Sequence, residues 1–211
     1  SEFYMFLVKF IGCVLLGYLL GSVPFALVIG KGIYKTDLRT KGSGNLGGTN
    51  AGRVLGKKVG LLVISLDILK VVFAVWAASY VSTACAMCTG VACCVGHCWP
   101  VFNHFKGGKA VATMFGFLLS ISIFVFHNGL YFFGPLVMFL SMLYIFKMVS
   151  LASISAAICS TIQIVSLNFS FSVNNCLLII ASIGLSLLVT IRHKANIEKV
   201  KSGKEGKITW M

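Results

Sequence analysis

The feature that most restricts the fold is a repeated one: long apolar runs, separated by short segments rich in glycine and basic residues. Most runs approach the length of a bilayer crossing, but several are shorter than ~20 residues, so five or six spans is the alternative to seven if some are re-entrant. Apolar residues make up 58% of the 211-residue chain and charged residues 11%, about half the charge of an ordinary soluble domain. Hydrocarbon offers a backbone no water to bond with, so these spans must satisfy their own N–H and C=O groups as helices. The expectation is an all-α polytopic membrane bundle of about seven transmembrane helices, a single domain over residues 1–211.

The runs cover Phe6–Ile29, Val59–Val81, Thr83–Gly96, Val111–Phe126, a fifth ending at Phe146, Ser150–Leu167 and Cys176–Ile191. The first is not followed by a small-residue cleavage pattern, so it reads as a retained helix, kinked or bent at Gly21-Ser22-Val23-Pro24. Asp67 and Lys70 stand three apart in the second run and share a helix face. Each charge would cost about 2.5–3.5 kcal/mol at the bilayer centre, so both should face the bundle.

Eighteen Lys and Arg stand against five Asp and Glu. In a soluble protein this balance would point to nucleic acid; between apolar spans it points to the cytoplasmic face, anionic substrates and membrane lipids. Lys31, Lys35, Arg39, Lys41, Arg53, Lys57 and Lys58 lie in the first loop, and Lys106 and Lys109 in the second polar segment. The turns near Ser82, His127–Gly129 and Asn168–Asn175 carry no Lys or Arg. Seven spans with the N-terminus outside and the C-terminus cytoplasmic put every basic segment on one side. The eight cysteines sit almost wholly in apolar runs, where they serve as small packing residues rather than as disulfides or metal ligands.

Three polar islands follow from this topology, at residues 31–58, 96–113 and 192–211. The first contains D-L-R-T-K-G-S-G-N-L-G-G-T-N-A-G-R from Asp37 to Arg53. Glycine reaches positive φ without a Cβ penalty, so Gly42, Gly44 and Gly47 allow backbone N–H groups to turn inward around an anion. Ser43, Asn45, Thr49 and Asn50 add short polar groups, and Arg53 a planar fork suited to phosphate. In the second, Gly107-Gly108 frees the backbone between Lys106 and Lys109 at the start of the fourth run, a phosphate cradle at a helix N-terminus. The third supplies His193, Asn196 and Glu205.

No G-x-x-x-x-G-K-[ST] loop and no G-x-S-x-G elbow occurs. The H-x-x-x-x-D pair of soluble-type glycerolipid acyltransferases is missing, and five acids in all leave little for a multi-carboxylate metal site. The expected chemistry depends on binding phosphate, with no metal and no cofactor.

At these residues the chain resembles the bacterial acyl-phosphate-dependent glycerol-3-phosphate acyltransferases. The resemblance rests on G-S-G-N-L-G-G-T-N-A-G-R at Gly42–Arg53, G-H-C-W-P-V-F-N-H-F-K-G-G-K-A-V-A-T at Gly96–Thr113 and H-K-A-N-I-E-K-V-K-S-G-K-E at His193–Glu205. G-S-V-P-F at Gly21–Phe25, the Asp67–Lys70 pair and S-L-A-S at Ser150–Ser153 extend it over nearly the whole chain. Gly48 stands where the family usually has alanine, Ala110 where it usually has glycine, and His104 at a position often basic or small. The resemblance implies transfer of an acyl group from acyl-phosphate to glycerol-3-phosphate at the inner face of the bacterial cytoplasmic membrane, giving lysophosphatidic acid. It implies Ser43, Arg53, Lys109, His193 and Asn196 as the catalytic set, and no obligate protein partner. Gly42, Gly44, Asn45, Gly47, Thr49, Asn50, His97, Lys106, Gly107, Gly108, Ser150, Ser153 and Glu205 are then candidates for substrate binding, Glu205 chiefly as an anchor of the tail. The proton acceptor is either His193 or the substrate's own phosphate. A transporter of a small phosphorylated anion and a non-catalytic lipid-binding protein are the competing readings.

Overall fold

The structure is a computed structural model and describes residues 1–209; Trp210 and Met211, the end of the predicted basic tail, lie outside the described residues. Ten α-helices, with no strand among the described residues, follow one another: α1 (Glu2–Gly21), α2 (Phe25–Gly32), α3 (Gly48–Leu55), α4 (Lys57–Ser79), α5 (Thr83–Cys98), α6 (Val111–Phe124), α7 (Leu130–Phe146), α8 (Val149–Leu167), α9 (Val173–Arg192) and α10 (Lys194–Lys201). Short 3-10 turns at Leu38–Thr40 and Val101–Asn103 interrupt the first two islands.

Among the described residues five stretches are long and apolar enough to cross a membrane: α1, α4, α5 continued to Asn103, α8 and α9. At 14 and 17 residues, α6 and α7 are apolar but shorter than the ~20 residues that hydrocarbon thickness requires. Helix α6 is buried along most of its length, from Thr113 to Ser122, so other helices rather than lipid surround it.

Two predicted features change. The first run is two helices: Pro24 cannot donate an N–H, so the ladder of α1 stops and α2 begins at Phe25, with the Pro24 carbonyl accepting from Leu27 and Val28. The first island is not all loop either. Gly48–Leu55 is helical despite its two glycines, because those glycines let α3 lie against α4. A Cβ on Gly52 would come within 3.4 Å of the Gly60 α-carbon, and one on Gly48 would press the Gly60 carbonyl oxygen at 2.8 Å and the Ile64 side chain. Gly48→Ala, although it installs the residue common in the resembling family, is therefore expected to destabilise this chain by about 1–3 kcal/mol. Thermal unfolding in detergent checks it, with Gly48→Ala/Ile64→Val recovering part of the loss.

Close backbone contact also joins α1 to α5. Only Gly17 and Gly21 of α1 are buried, and added Cβ atoms there would strike the carbonyls of Thr89 and Cys93, as one on Gly96 would strike that of Tyr18. The α5 residues at these contacts, Thr89, Cys93 and Gly96, are small enough to permit this approach. All eight cysteines are free thiols. The Asp67–Lys70 pair faces the interior as expected, with 2.7 Å between Nζ and Oδ1.

Candidate active site

The three islands meet at one end of the bundle. Within the first, Asn50 is the hub and is 2% exposed. Its Oδ1 accepts the Ser43 N–H at 2.8 Å, and its Nδ2 lies 3.4, 3.1 and 3.0 Å from the carbonyl oxygens of Leu38, Lys41 and Asn45. The turn so held needs positive φ at Gly42 (59°) and Gly44 (70°), and a Cβ on Gly42 would collide with Asn50 Oδ1. Asn50 thus shapes the loop from behind, while Ser43, Thr49 and Arg53 stay exposed on it. The Asn45 side chain sits within the turn, where a Cβ on Gly47 would meet its Oδ1 at 3.0 Å.

Arg39 clasps the first island to the second. Its guanidinium holds the Asp37 carboxylate, at 2.6 Å from Nη2 to Oδ2, and donates from Nη1 to Asn103 Oδ1 at 3.1 Å. The bonds from Arg39 hold the Asp37 carboxyl well below the usual carboxylate range. Asn103 in turn donates to the Lys106 carbonyl at 2.5 Å. Between these islands opens a cleft of about 380 Å³ whose lining includes Arg39, Gly44, Lys106 and Gly107.

Arg192, the last residue of α9, joins the second island to the third. Its Nε donates to the Gly108 carbonyl at 3.0 Å and its Nη2 to that of Gly107 at 3.1 Å, and its guanidinium lies 5.6 Å from the Trp99 ring centre. Lys109 follows these glycines and donates to Asn196 Oδ1. Asn196 Nδ2 donates to Glu205 Oε1 and Oε2 at 2.9 and 3.2 Å, and Ser150 Oγ donates to Oε1 at 2.5 Å. This chain of bonds fixes the tail, whose Ile208 N–H also bonds the Lys147 carbonyl at 2.8 Å. Ser153 lies one turn along α8, but its hydroxyl bonds the Val149 carbonyl of its own helix at 2.7 Å. His97 lies behind Gly108 rather than in the opening: its ring is against the Gly108 α-carbon and its Nδ1 is 3.1 Å from Lys70 Nζ.

The site is cationic. Burial pushes the Lys109 pKa down, and the charges of Lys199, Arg192 and Arg53 push the same way against Glu205. An anion bound here would relieve that repulsion. His193 caps α9 and is 3% exposed; its Nδ1 donates to the Val189 carbonyl at 2.7 Å, which leaves Nε2 as a free acceptor. Burial pushes its pKa down to about 4, more than the bond to Val189 raises it. From pH 6.5 down towards 4 the unfolded chain therefore takes a proton that the folded chain refuses. Stability is expected to fall over that window, by on the order of 3 kcal/mol for this residue. Unfolding temperatures from pH 8 to 4 check this, and His193→Gln should flatten the slope.

Arg39, Asn103 and Arg192 are not among the catalytic and binding residues expected from the sequence, where Arg39 and Arg192 count only as basic residues of their segments. Arg192 carried one signal, its place directly before His193 at the end of an apolar run.

The glycerol-3-phosphate acyltransferase family pattern matches residues 11–203. The glycerol-3-phosphate acyltransferase of Staphylococcus haemolyticus (strain JCSC1435) is 40% identical over 208 residues, covering 93% of this chain and 96% of that relative. The enzyme of the same name from Staphylococcus aureus (strain JH9) is 41% identical over 207 residues, with the same coverage. The fold superposes on the crystal structure of PlsY (YgiH), an integral membrane glycerol 3-phosphate acyltransferase. Its glycerol 3-phosphate form gives a TM-score of 0.84 at 34% identity over 95% of this chain and 96% of that one. Its lysophosphatidic acid form gives 0.81 at 32% identity over 95% of each. With the family pattern spanning nearly the whole chain and the islands of that pattern meeting in one cationic site, this chain belongs to the glycerol-3-phosphate acyltransferase family.

Proposed function

We propose that the chain transfers an acyl group from acyl-phosphate to the sn-1 hydroxyl of glycerol-3-phosphate, giving lysophosphatidic acid for phospholipid synthesis. The observation that carries this is the meeting of three phosphate-suited islands around Lys109, where Arg53, Arg192 and Lys199 concentrate positive charge. PlsY has been crystallised in glycerol 3-phosphate and lysophosphatidic acid forms, the acceptor and the product of this reaction. Family membership removes the transporter reading, as it removes a purely lipid-binding role.

An acyl-phosphate is an activated mixed anhydride, so the protein need not form an acyl intermediate of its own. The glycerol hydroxyl oxygen attacks the acyl carbon, the bond from that carbon to the phosphate oxygen breaks, and inorganic phosphate leaves. Arg53 and Lys109 neutralise the phosphates, Ser43 and Asn196 orient the acceptor, and most of the barrier reduction comes from position and charge. His193 Nε2 accepts a hydrogen bond from the acceptor. A group with a pKa of about 4 is a weak base, and a phosphate monoester, with its second pKa near 6, is the stronger one. The substrate's phosphate therefore takes the hydroxyl proton. No cofactor and no protein partner enters this route.

In the membrane, α1 and α4–α9 make seven crossings with the N-terminus outside. The short α6 is tolerated because protein surrounds it, and the islands all fall on the cytoplasmic side. The acyl chain lies along the apolar helices, open to the bilayer.

Initial rates over a grid of both substrates test the direct route. Intersecting lines and no acyl group trapped on the protein are expected; parallel lines with a trapped acyl-protein would overturn it.

A further inference from the structure

Lys70 touches none of the groups placed in the transfer step, yet it ties together the approaches to two islands. Its side chain is 3% exposed and that of Asp67 2%. Its Nζ lies 2.7 Å from Asp67 Oδ1, 3.1 Å from the Val23 carbonyl oxygen and 3.1 Å from His97 Nδ1. An ammonium group only donates, so His97 Nδ1 accepts and the ring proton sits on Nε2. Val23 precedes the proline that opens α2 and leads to the first island, and the Phe25 ring lies 5.7 Å from the same ammonium. His97, the penultimate residue of α5, leads to the second. Its carbonyl accepts the Gly108 N–H at 2.9 Å, and its ring lies so close to Gly108 that a Cβ there would collide with Nε2.

One tetrahedral ammonium thus joins the entrance of the first island to the floor of the second, with Asp67 supplying the counter-charge. A buried ion pair of this kind adds little net stability, so stability alone is a poor reason for its presence. We infer that Lys70 is a positioning residue: through Val23 and His97 it sets where the Gly107–Gly108 turn stands relative to the first island, and so sets the affinity for the substrate phosphate. The inference rests on the proposed reading of that turn as a phosphate cradle.

Three variants test it, each first shown to be folded by gel filtration and thermal unfolding. His97→Ala removes the ring that carries the turn. Asp67→Asn/Lys70→Met removes both charges at near-constant length, so no unpaired charge stays buried, and it releases the Val23 carbonyl and His97 Nδ1 from the ammonium. His97→Asn keeps an acceptor for Lys70. The first two are expected to raise KM for glycerol-3-phosphate about tenfold or more, with kcat changed less than about threefold, and to weaken its Kd by calorimetry in step. His97→Asn should restore most of the affinity. A merely structural role would lower the active fraction, hence kcat, at unchanged KM and Kd. Because the calorimetric comparison needs no turnover, a wild type that binds glycerol-3-phosphate but forms no product defeats the proposed reaction and leaves this inference to be judged on Kd. Unchanged Kd in folded His97→Ala, an equal loss in His97→Asn, or no binding by the wild type would overturn it.

Discussion

Lys109→Ala is expected to lower kcat/KM for acyl transfer by about 10²–10³-fold while leaving the protein folded. The ammonium stands at the one point where all three islands come together: it follows the Gly107–Gly108 turn, donates to Asn196, and shares its surroundings with Arg53, Arg192 and Lys199. Glu205 is the carboxylate that acts on it, and that carboxylate is already held by Asn196 and Ser150. Positive charge crowded this way costs the folded state something when no anion is present, so removing one member should barely change the melting temperature. Function and stability then separate, as expected where a site is built for its ligand. Lys109→Arg should not restore the rate, because a longer planar fork cannot replace a compact ammonium at the same point. Steady-state rates with both substrates varied, beside unfolding curves, check both halves of this expectation. A loss of activity that merely tracks a loss of folding would contradict it.

Asn50→Asp should have the largest effect on the first island, destabilising the protein by about 3 kcal/mol or more and reducing transfer to background. Only one atom changes. Oδ1 can still accept from Ser43, but the donor Nδ2 becomes an oxygen facing the carbonyls of Leu38, Lys41 and Asn45, at 2% exposure. A buried carboxylate among carbonyl oxygens either stays charged and repelled or takes a proton at a steep cost. The turn that carries Ser43 and leads into α3 and Arg53 cannot keep its shape in either case. Thermal unfolding and protease sensitivity within residues 37–53 measure this, with preferential cleavage there as the expected sign of a loosened loop.

The two expectations draw on residues of different legibility. Alternation of glycine with hydroxyls and amides marks the first island as a shaped anion loop from sequence alone, and Asn50 belonged to that pattern. Its position behind the loop did not, since an amide on the wall of a turn and one on its floor look alike in a sequence. The apolar runs gave the helices well, because burial in lipid leaves the backbone few choices. They gave no sign of α3, whose glycines argue against a helix until Gly60 of α4 is seen beneath them. Arg39 and Asn103 are 64 residues apart, and their clasp is a purely tertiary fact. Arg192 looked like one more basic residue at a membrane edge, and only the structure shows its fork on the carbonyls of Gly107 and Gly108. His97 misled in the opposite direction: a lone histidine beside a glycine-lysine turn suggests contact with substrate, whereas its ring is packed beneath that turn.

The most direct test of the whole account is the rate at which protein reconstituted in lipid makes labelled lysophosphatidic acid from acyl-phosphate and labelled glycerol-3-phosphate, with metals chelated and acyl-coenzyme A left out. The wild type is expected to form product under these conditions, and a folded Arg53→Ala variant to form about 10²-fold less or lower. A folded wild type that forms none, or an Arg53→Ala variant that matches it, would contradict acyl transfer at the site where the three islands meet.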